Sequence, residues 1–128
     1  MKLLSTILLI CLSVIVKGQD ISYALTHNGS RKWVGVDKTK TLSGFSSTNI
    51  IFHANHKVEE VPVNSHKFPV TQQWQLINGN TTHDDNITIE IGETLYSVIF
   101  SKTSNGSDFI TLSYTKNERV ITSSYYCE

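Results

Sequence analysis

ITIEIGETLYSVIFSKTSNGSDFITLSYTKNERVITSSY, residues 87–125, contains four short runs in which apolar and polar residues alternate. A period of two is typical of a β-strand with one buried face. Gly92-Glu93, Asn105-Gly106 and Asn117-Glu118 separate the runs, and residues of these types form tight turns. Because short connections join neighbouring strands in antiparallel order, the segment predicts a four-stranded up-and-down meander.

The same alternation continues toward the N-terminus. From Gln19 to Glu128 the chain has thirty-one Val, Ile and Thr but only two Ala and five Leu, which favours strands and excludes a helical bundle. The lead-in, Asp20–Thr26, is either one helical turn that plugs an end of the fold or an irregular arm. The eight predicted strands are Arg31–Val36, Asn49–His53, Lys57–Val61, Val70–Ile77, Ile87–Ile91, Leu95–Lys102, Phe109–Thr115 and Arg119–Tyr125.

A meander of about eight strands either leaves two exposed edges or closes on itself. Closure removes the unpaired backbone groups of the edges. The sequence therefore predicts an all-β fold, a small antiparallel up-and-down β-barrel. The alternative is a two-sheet sandwich, and pairing between Arg31–Val36 and Arg119–Tyr125 would distinguish the barrel from it.

The first eighteen residues have the features of an export signal. Lys2 supplies a basic start, and Leu3–Val16 is apolar apart from three hydroxyl residues, yet shorter than the roughly 20 residues of a membrane-spanning helix. We expect 1–18 to be a signal peptide and 19–128 the barrel domain, secreted or periplasmic after cleavage. Cys11 lacks the small residues that precede a lipidated cysteine, which argues against a lipid anchor.

Charge and cysteine content narrow the functional classes. Removal of Lys2 and Lys17 leaves eleven acidic against nine basic residues, a formal charge of −2. Such a chain has no electrostatic basis for binding nucleic acid or an anionic membrane. Cys127 is the only cysteine after residue 18, so no intrachain disulfide is expected there, and an incidental thiol is the favoured interpretation.

Five segments carry motifs whose order and spacing are informative together. They are Gly29–Val34, Ile50–Val58, Gln73–Leu76, Tyr96–Phe100 and Phe109–Leu112. Their order resembles that of the short bacterial lipocalin-like proteins. The likeness covers nearly the whole of 19–128, with Ala54-Asn55-His56 and Gln72-Gln73 departing from the family's glycine-containing patterns. The resemblance implies an extracytoplasmic barrel and no known chemistry.

Six aromatic residues on the predicted strands are candidates for a ligand site. An eight-stranded barrel is just wide enough to fill with side chains or to hold one small ligand. With about 110 residues and short strands, a filled core is favoured over a working cavity. The candidate residues are Trp33, Phe52, Trp74, Tyr96, Phe100 and Tyr114.

Two functional hypotheses follow. In the first, the protein is a non-enzymatic exported domain that binds a small apolar molecule inside the barrel. In the second, it is a secreted protein-interaction or adhesion module without a small-molecule ligand. The second hypothesis predicts an exposed apolar or aromatic patch, with Tyr125-Tyr126 as its candidate position.

Catalytic and metal-binding patterns are weak. Glu59 and Glu60 point to opposite faces of their strand, so the histidines around the 54–56 turn do not gain a convergent carboxylate set. Asp84-Asp85 lacks the pattern of a calcium-binding loop and is interpreted as a polar turn. No nucleophile motif or phosphate loop occurs, and we expect no enzyme, metal or cofactor. The histidines are His27, His53, His56, His66 and His83.

The sequence also contains N-glycosylation sequons. They begin at Asn28, Asn80, Asn86 and Asn105.

Overall fold

The barrel predicted from the alternating runs is present. The structure is a computed structural model that describes residues 18–36, 48–62 and 68–127. In them, eight antiparallel strands follow one another around a closed barrel. Their bounds differ from the predicted ones by at most one residue. The elements are α1 (Ile21–Thr26), β1 (Ser30–Gly35), β2 (Thr48–His53), β3 (Lys57–Pro62), β4 (Val70–Asn78), β5 (Thr88–Ile91), β6 (Thr94–Lys102), β7 (Asp108–Lys116) and β8 (Arg119–Tyr126).

The first and last strands close the sheet. Val34 pairs with Tyr126 and Gly35 with Tyr125, while the beginning of β1 pairs with β2. This pairing confirms the barrel and excludes the two-sheet alternative. The predicted export signal, including Cys11, lies outside the described residues except for Gly18. Where the chain is described, none of its helices has the length and apolar character needed to span a membrane.

Side chains from all eight strands meet in a packed centre. Trp33, Phe52 and Ile89 are fully buried, and Trp74 is nearly so. Burial of such large side chains contributes about 25 cal/mol per Å² of apolar area removed from water. The predicted filled core is therefore present in the middle of the barrel. The buried cluster comprises Ile21, Leu25, Trp33, Ile50, Phe52, Val58, Trp74, Ile87, Ile89, Ile91, Val98, Ile110, Leu112, Tyr125 and Cys127.

The lead-in adopts the helical alternative. The Asp20 carboxylate accepts a hydrogen bond from the backbone N–H of Tyr23 at 3.0 Å, and His27 ends the helix in the left-handed conformation. Six residues are too few for an independently stable helix, so tertiary packing must hold α1 in place. Ile21 and Leu25 are fully buried against the barrel. The helix thereby closes one end, which we call the helix end.

The opposite end, which we call the far end, contains two short hairpin turns. Asn117 and Glu118 connect β7 to β8 with φ values of 51° and 64°, as a two-residue turn with both central residues left-handed requires. Gly92-Glu93 connects β5 to β6. β1, β3, β5 and β7 end at the far end, and the other four strands begin there.

Candidate functional site

A cavity of about 190 Å³ lies at the far end of the barrel, beyond the packed centre. Its walls come from six strands, and the alternation of each strand turns one side chain in every two toward it. Apolar side chains make up its floor, whereas a carboxylate and hydroxyl groups lie among its walls. The lining residues are Thr48, Ile50, Glu60, Ile91, Tyr96, Leu112, Tyr114, Ile121, Ser123 and Tyr125.

Glu60 brings a carboxylate into this cavity. It lies on β3, directly opposite Ile50 of β2, and shares the interior face with buried Val58. The preceding residue, Glu59, is on the outer face, where its Oε2 lies 3.6 Å from His53 Nε2. The structure thus confirms that the two neighbouring carboxylates point to opposite faces.

Tyrosines form the aromatic part of the cavity. The rings of Tyr96 and Tyr114 meet edge to face, with centroids 5.2 Å apart. Burial raises the pKa of Tyr96 to about 12, with a further contribution from the negative charge of Glu60. Burial also raises the pKa of Tyr125, and Glu60 adds to it while hydrogen bonds with Thr48 and Ser123 act in the opposite direction. The Tyr96 and Tyr125 phenols therefore remain neutral hydroxyl groups near neutral pH.

The six aromatic residues predicted as ligand contacts do not converge on one site. Trp33 and Phe52 are fully buried in the centre, and Trp74 packs edge to face against Phe52 with centroids 5.5 Å apart. Phe100 lines a different cavity at the helix end, and Trp33 also contributes to the wall of that cavity. Of the six, Tyr96 and Tyr114 line the far-end cavity.

The helix-end cavity has a volume of about 230 Å³, but its charged groups already bind one another. Arg31 donates to the backbone oxygen of Ala24 and to Asp108 Oδ2, both at 2.7 Å, and Lys102 also pairs with Asp108. The Arg31 guanidinium lies 4.6 Å from the centroid of the Trp33 ring. This arrangement joins α1 to the barrel, and we assign it a structural role.

We expect Asp108→Asn to lower the free energy of unfolding by about 1–3 kcal/mol at neutral pH, since a charged hydrogen-bond acceptor is lost. Burial raises the pKa of Asp108, but hydrogen bonds from Lys102 and Arg31 outweigh it, so the net pKa is lowered from 3.8. A lowered folded-state pKa gives stability that is present above the ordinary value and is lost as pH falls through the folded value.

Urea unfolding at several pH values checks this expectation. The difference between wild type and Asp108→Asn should be largest near neutral pH and should shrink in acid below about pH 4. Asp85→Asn removes a charge at an exposed turn position and serves as the control. Equal stability of the Asp108 variant and wild type at neutral pH would contradict the structural role of the ion pair.

The fold also brings together a serine, a histidine and a glutamate that sequence reasoning missed. Ser30 Oγ lies 2.5 Å from His53 Nδ1, on the outer face shared with Glu59. Strand pairing creates this contact between residues distant in sequence, so no local motif announces it. Such a group accelerates acyl transfer only beside an oxyanion hole and a substrate-binding surface. These three residues are absent from the walls of both described end cavities, and we read them as a surface network joining β1, β2 and β3.

The remaining polar candidates have structural explanations. Asp84 accepts hydrogen bonds from the backbone N–H groups of Asn80 and Thr81, at 2.6 and 3.1 Å, which lower its pKa and close the predicted polar turn. Within residues 18–36, 48–62 and 68–127, no group of three or more potential metal ligands converges.

Burial raises the pKa of Cys127 to about 11, and its Sγ donates to the backbone oxygen of Lys32. That thiol is therefore protonated and unreactive near neutral pH.

The interaction hypothesis predicted an exposed patch near Tyr125-Tyr126, and this position is wrong for Tyr125. Its side chain faces the barrel interior and is 9% exposed, because β8 continues the inward alternation up to its closing pair with Gly35. Exposed apolar side chains occur elsewhere, on several strands and in the segment just before β4. They include Phe68, Val70, Ile77, Leu95, Ile99 and Val120.

No family model, curated protein or solved structure matches the chain. The candidate site therefore depends on the geometry described above.

Proposed function

We propose that the protein is an exported, non-enzymatic, lipocalin-like binding protein that holds one small molecule in its far-end cavity. The observation that carries the proposal is the composition of the cavity wall. Ile91 and Leu112 provide apolar surface, while Glu60 and Thr48 provide polar groups directed at the same space, and polar atoms make up the larger share of the exposed lining. Convergent polar groups beside apolar side chains fix the orientation of a small ligand and give the site its specificity.

The volume of the cavity limits the size of the ligand. A buried cavity of about 150 Å³ lined by apolar side chains is large enough to bind benzene in another protein. The far-end cavity, at about 190 Å³, offers room for one ring with a short substituent. A lipid or a large polycyclic molecule would extend well beyond it. The proposed ligand is consequently small, and the polar groups of the wall favour an amphipathic one.

The distribution of the glycosylation sequons is compatible with access from the far end. Asn28 precedes β1, Asn80 and Asn86 lie between β4 and β5, and Asn105 lies between β6 and β7. All four positions are exposed and belong to the helix end. Glycans attached there would lie at the opposite end from the proposed ligand cavity.

Thermal unfolding with one-ring compounds tests the proposal. Toluene, benzyl alcohol, benzylamine and benzoate share a ring and differ in their polar group. A ligand that binds only the native state adds RT ln(1 + [L]/Kd) to its stability, about 2.7 kcal/mol at a hundredfold excess over Kd. We expect at least one of the four compounds to raise Tm in a saturable manner.

Two variants at neighbouring positions on β8 test whether the ligand-induced rise in Tm comes from binding inside the cavity. Ser123→Trp places an indole inside the cavity and should abolish the ligand-induced rise in Tm. Thr122→Trp, one residue earlier on β8 and on the outer face, should preserve it, because alternate strand residues point to opposite sides. The absence of any shift with wild type, or its persistence in Ser123→Trp, would overturn the proposed function.

A further inference from the structure

The charge of the far-end cavity indicates what kind of small molecule it accepts. Among the described residues that line the cavity, Glu60 carries the one carboxylate, and the other polar side chains carry hydroxyl groups. Glu60 pairs with Ile50 of β2 and with Val70 of β4, and its side chain is partly buried. The cavity therefore carries negative charge.

Glu60 forms no ion pair with another described residue. The ion pairs in the described part of the chain join Arg31 and Lys102 to Asp108 and join His53 to Glu59. A cation bound in the cavity would therefore meet a carboxylate that no described basic group already pairs with, and it would gain Coulomb energy from that carboxylate.

The aromatic walls favour the same charge. The faces of tyrosine rings are electron-rich and attract an ammonium group within about 6 Å of the ring centroid. Tyr96 and Tyr114 lie together on one wall, and Tyr125 is on another. An anion of the same size would meet the Glu60 carboxylate, with no cationic group among the described lining residues to bind it.

We infer that the ligand is a small organic cation, an amine with about one ring, whose ammonium group pairs with Glu60 and whose body packs on Ile91, Leu112 and the tyrosine rings. This inference rests on the proposed function, and it adds the charge and the chemical class of the ligand. It proposes an amphipathic cation in place of the apolar ligand expected from the sequence.

Calorimetric titration of wild type with benzylamine, benzyl alcohol and benzoate tests the inference. The three compounds match in size and differ in charge at the same position. Benzylamine should bind about tenfold or more tightly than benzyl alcohol, which corresponds to the gain from one partly desolvated charge pair. Benzoate should bind more weakly than benzyl alcohol.

Glu60→Gln keeps the shape of the side chain and removes its charge. In this variant the affinity for benzylamine should fall about tenfold, whereas that for benzyl alcohol should stay the same. Glu59→Gln is the matched control, since it makes the same change one residue earlier on the outer face of β3. It should alter the affinity for benzylamine by less than about twofold, because exposed charges are well screened. The selectivity of wild type is measured without any variant and remains informative if Glu60→Gln folds poorly.

The outcomes separate the two proposals. Equal binding of benzylamine and benzyl alcohol by wild type would overturn the cation inference and leave the proposed function standing. An equal loss of benzylamine affinity in Glu59→Gln and Glu60→Gln would also overturn it. Failure of all three compounds and of toluene to bind would overturn the proposed function itself, and the inference with it.

Discussion

Trp33→Ala is expected to destabilise the protein by about 3–5 kcal/mol, the range observed when a fully buried tryptophan is truncated. The Trp33 side chain is 0% exposed, and its Nε1 donates to the backbone oxygen of Leu25 at 3.1 Å. The substitution leaves a cavity in the centre of the barrel and an unpaired carbonyl at the end of α1. Chemical unfolding measures the loss, and hydrogen exchange of the α1 amides should accelerate at the same time.

Trp33→Phe separates the two contributions. It keeps most of the apolar volume but removes the N–H donor, so a loss of about 1–2 kcal/mol is expected. Trp74→Ala should also lower stability, since Trp74 is 2% exposed and donates from Nε1 to His53, but it should leave exchange in α1 largely unchanged. A loss below about 1 kcal/mol for Trp33→Ala would contradict the filled core.

Gly79→Ala is expected to destabilise the protein by about 2–5 kcal/mol, through backbone strain and overpacking together. Gly79 has φ of +117°, a conformation that L-residues rarely adopt. A Cβ atom there would lie 2.9 Å from Ile21 Cδ1 and 3.3 Å from Ile87 Cγ1, and both side chains belong to the buried core. The substitution therefore acts on the contact between α1 and the connection from β4 to β5.

Gly106→Ala is the matched control for Gly79→Ala. Gly106 also has a positive φ, +85°, but a Cβ atom there has nothing within 4 Å. Only the backbone term remains, and about 1–2 kcal/mol is expected. Denaturant midpoints of the two variants measure the difference, which reports the packing of Ile21. Equal losses in both variants would show that α1 does not pack tightly at this end.

The strands could be predicted from the sequence because their determinants are local. Alternation places Ile87, Ile89 and Ile91 on one face, and the turn residues around Gly106 and Asn117 fix where strands end. The closing pair between β1 and β8 is not local. It depends on how far the sheet curls over all eight strands. The sequence alone therefore did not distinguish a barrel from a two-sheet sandwich, and the pairing of Val34 with Tyr126 in the structure does.

The candidate site was only partly predictable. Alternation identifies which side chains face inward, but the stagger of neighbouring strands decides which of them lie at the same height in the barrel. Trp33 and Phe100 consequently face the helix-end cavity, whereas Tyr96 and Tyr114 face the far-end cavity.

Glu60 was overlooked as a binding residue, although the pattern contained a signal for it. In β3, Val58 and Glu60 share one face, and Phe52 and Ile50 lie opposite them on β2. A carboxylate on the same inward face as buried apolar residues is a candidate ligand-binding group. In the sequence, Glu59-Glu60 was considered only as a pair of possible metal ligands, so the inward position of Glu60 was missed.

Methyl-resolved NMR during a titration with benzylamine tests the central claim most directly. The account predicts saturable chemical-shift changes at Ile91, Leu112 and Ile121, which line the far-end cavity. It predicts little change at Ile21 and Leu25, which lie in α1 at the helix end. Shifts confined to Ile21 and Leu25 would contradict a ligand site at the far end of the barrel. The absence of a saturable shift at all of these methyl groups with both benzylamine and toluene would contradict it too.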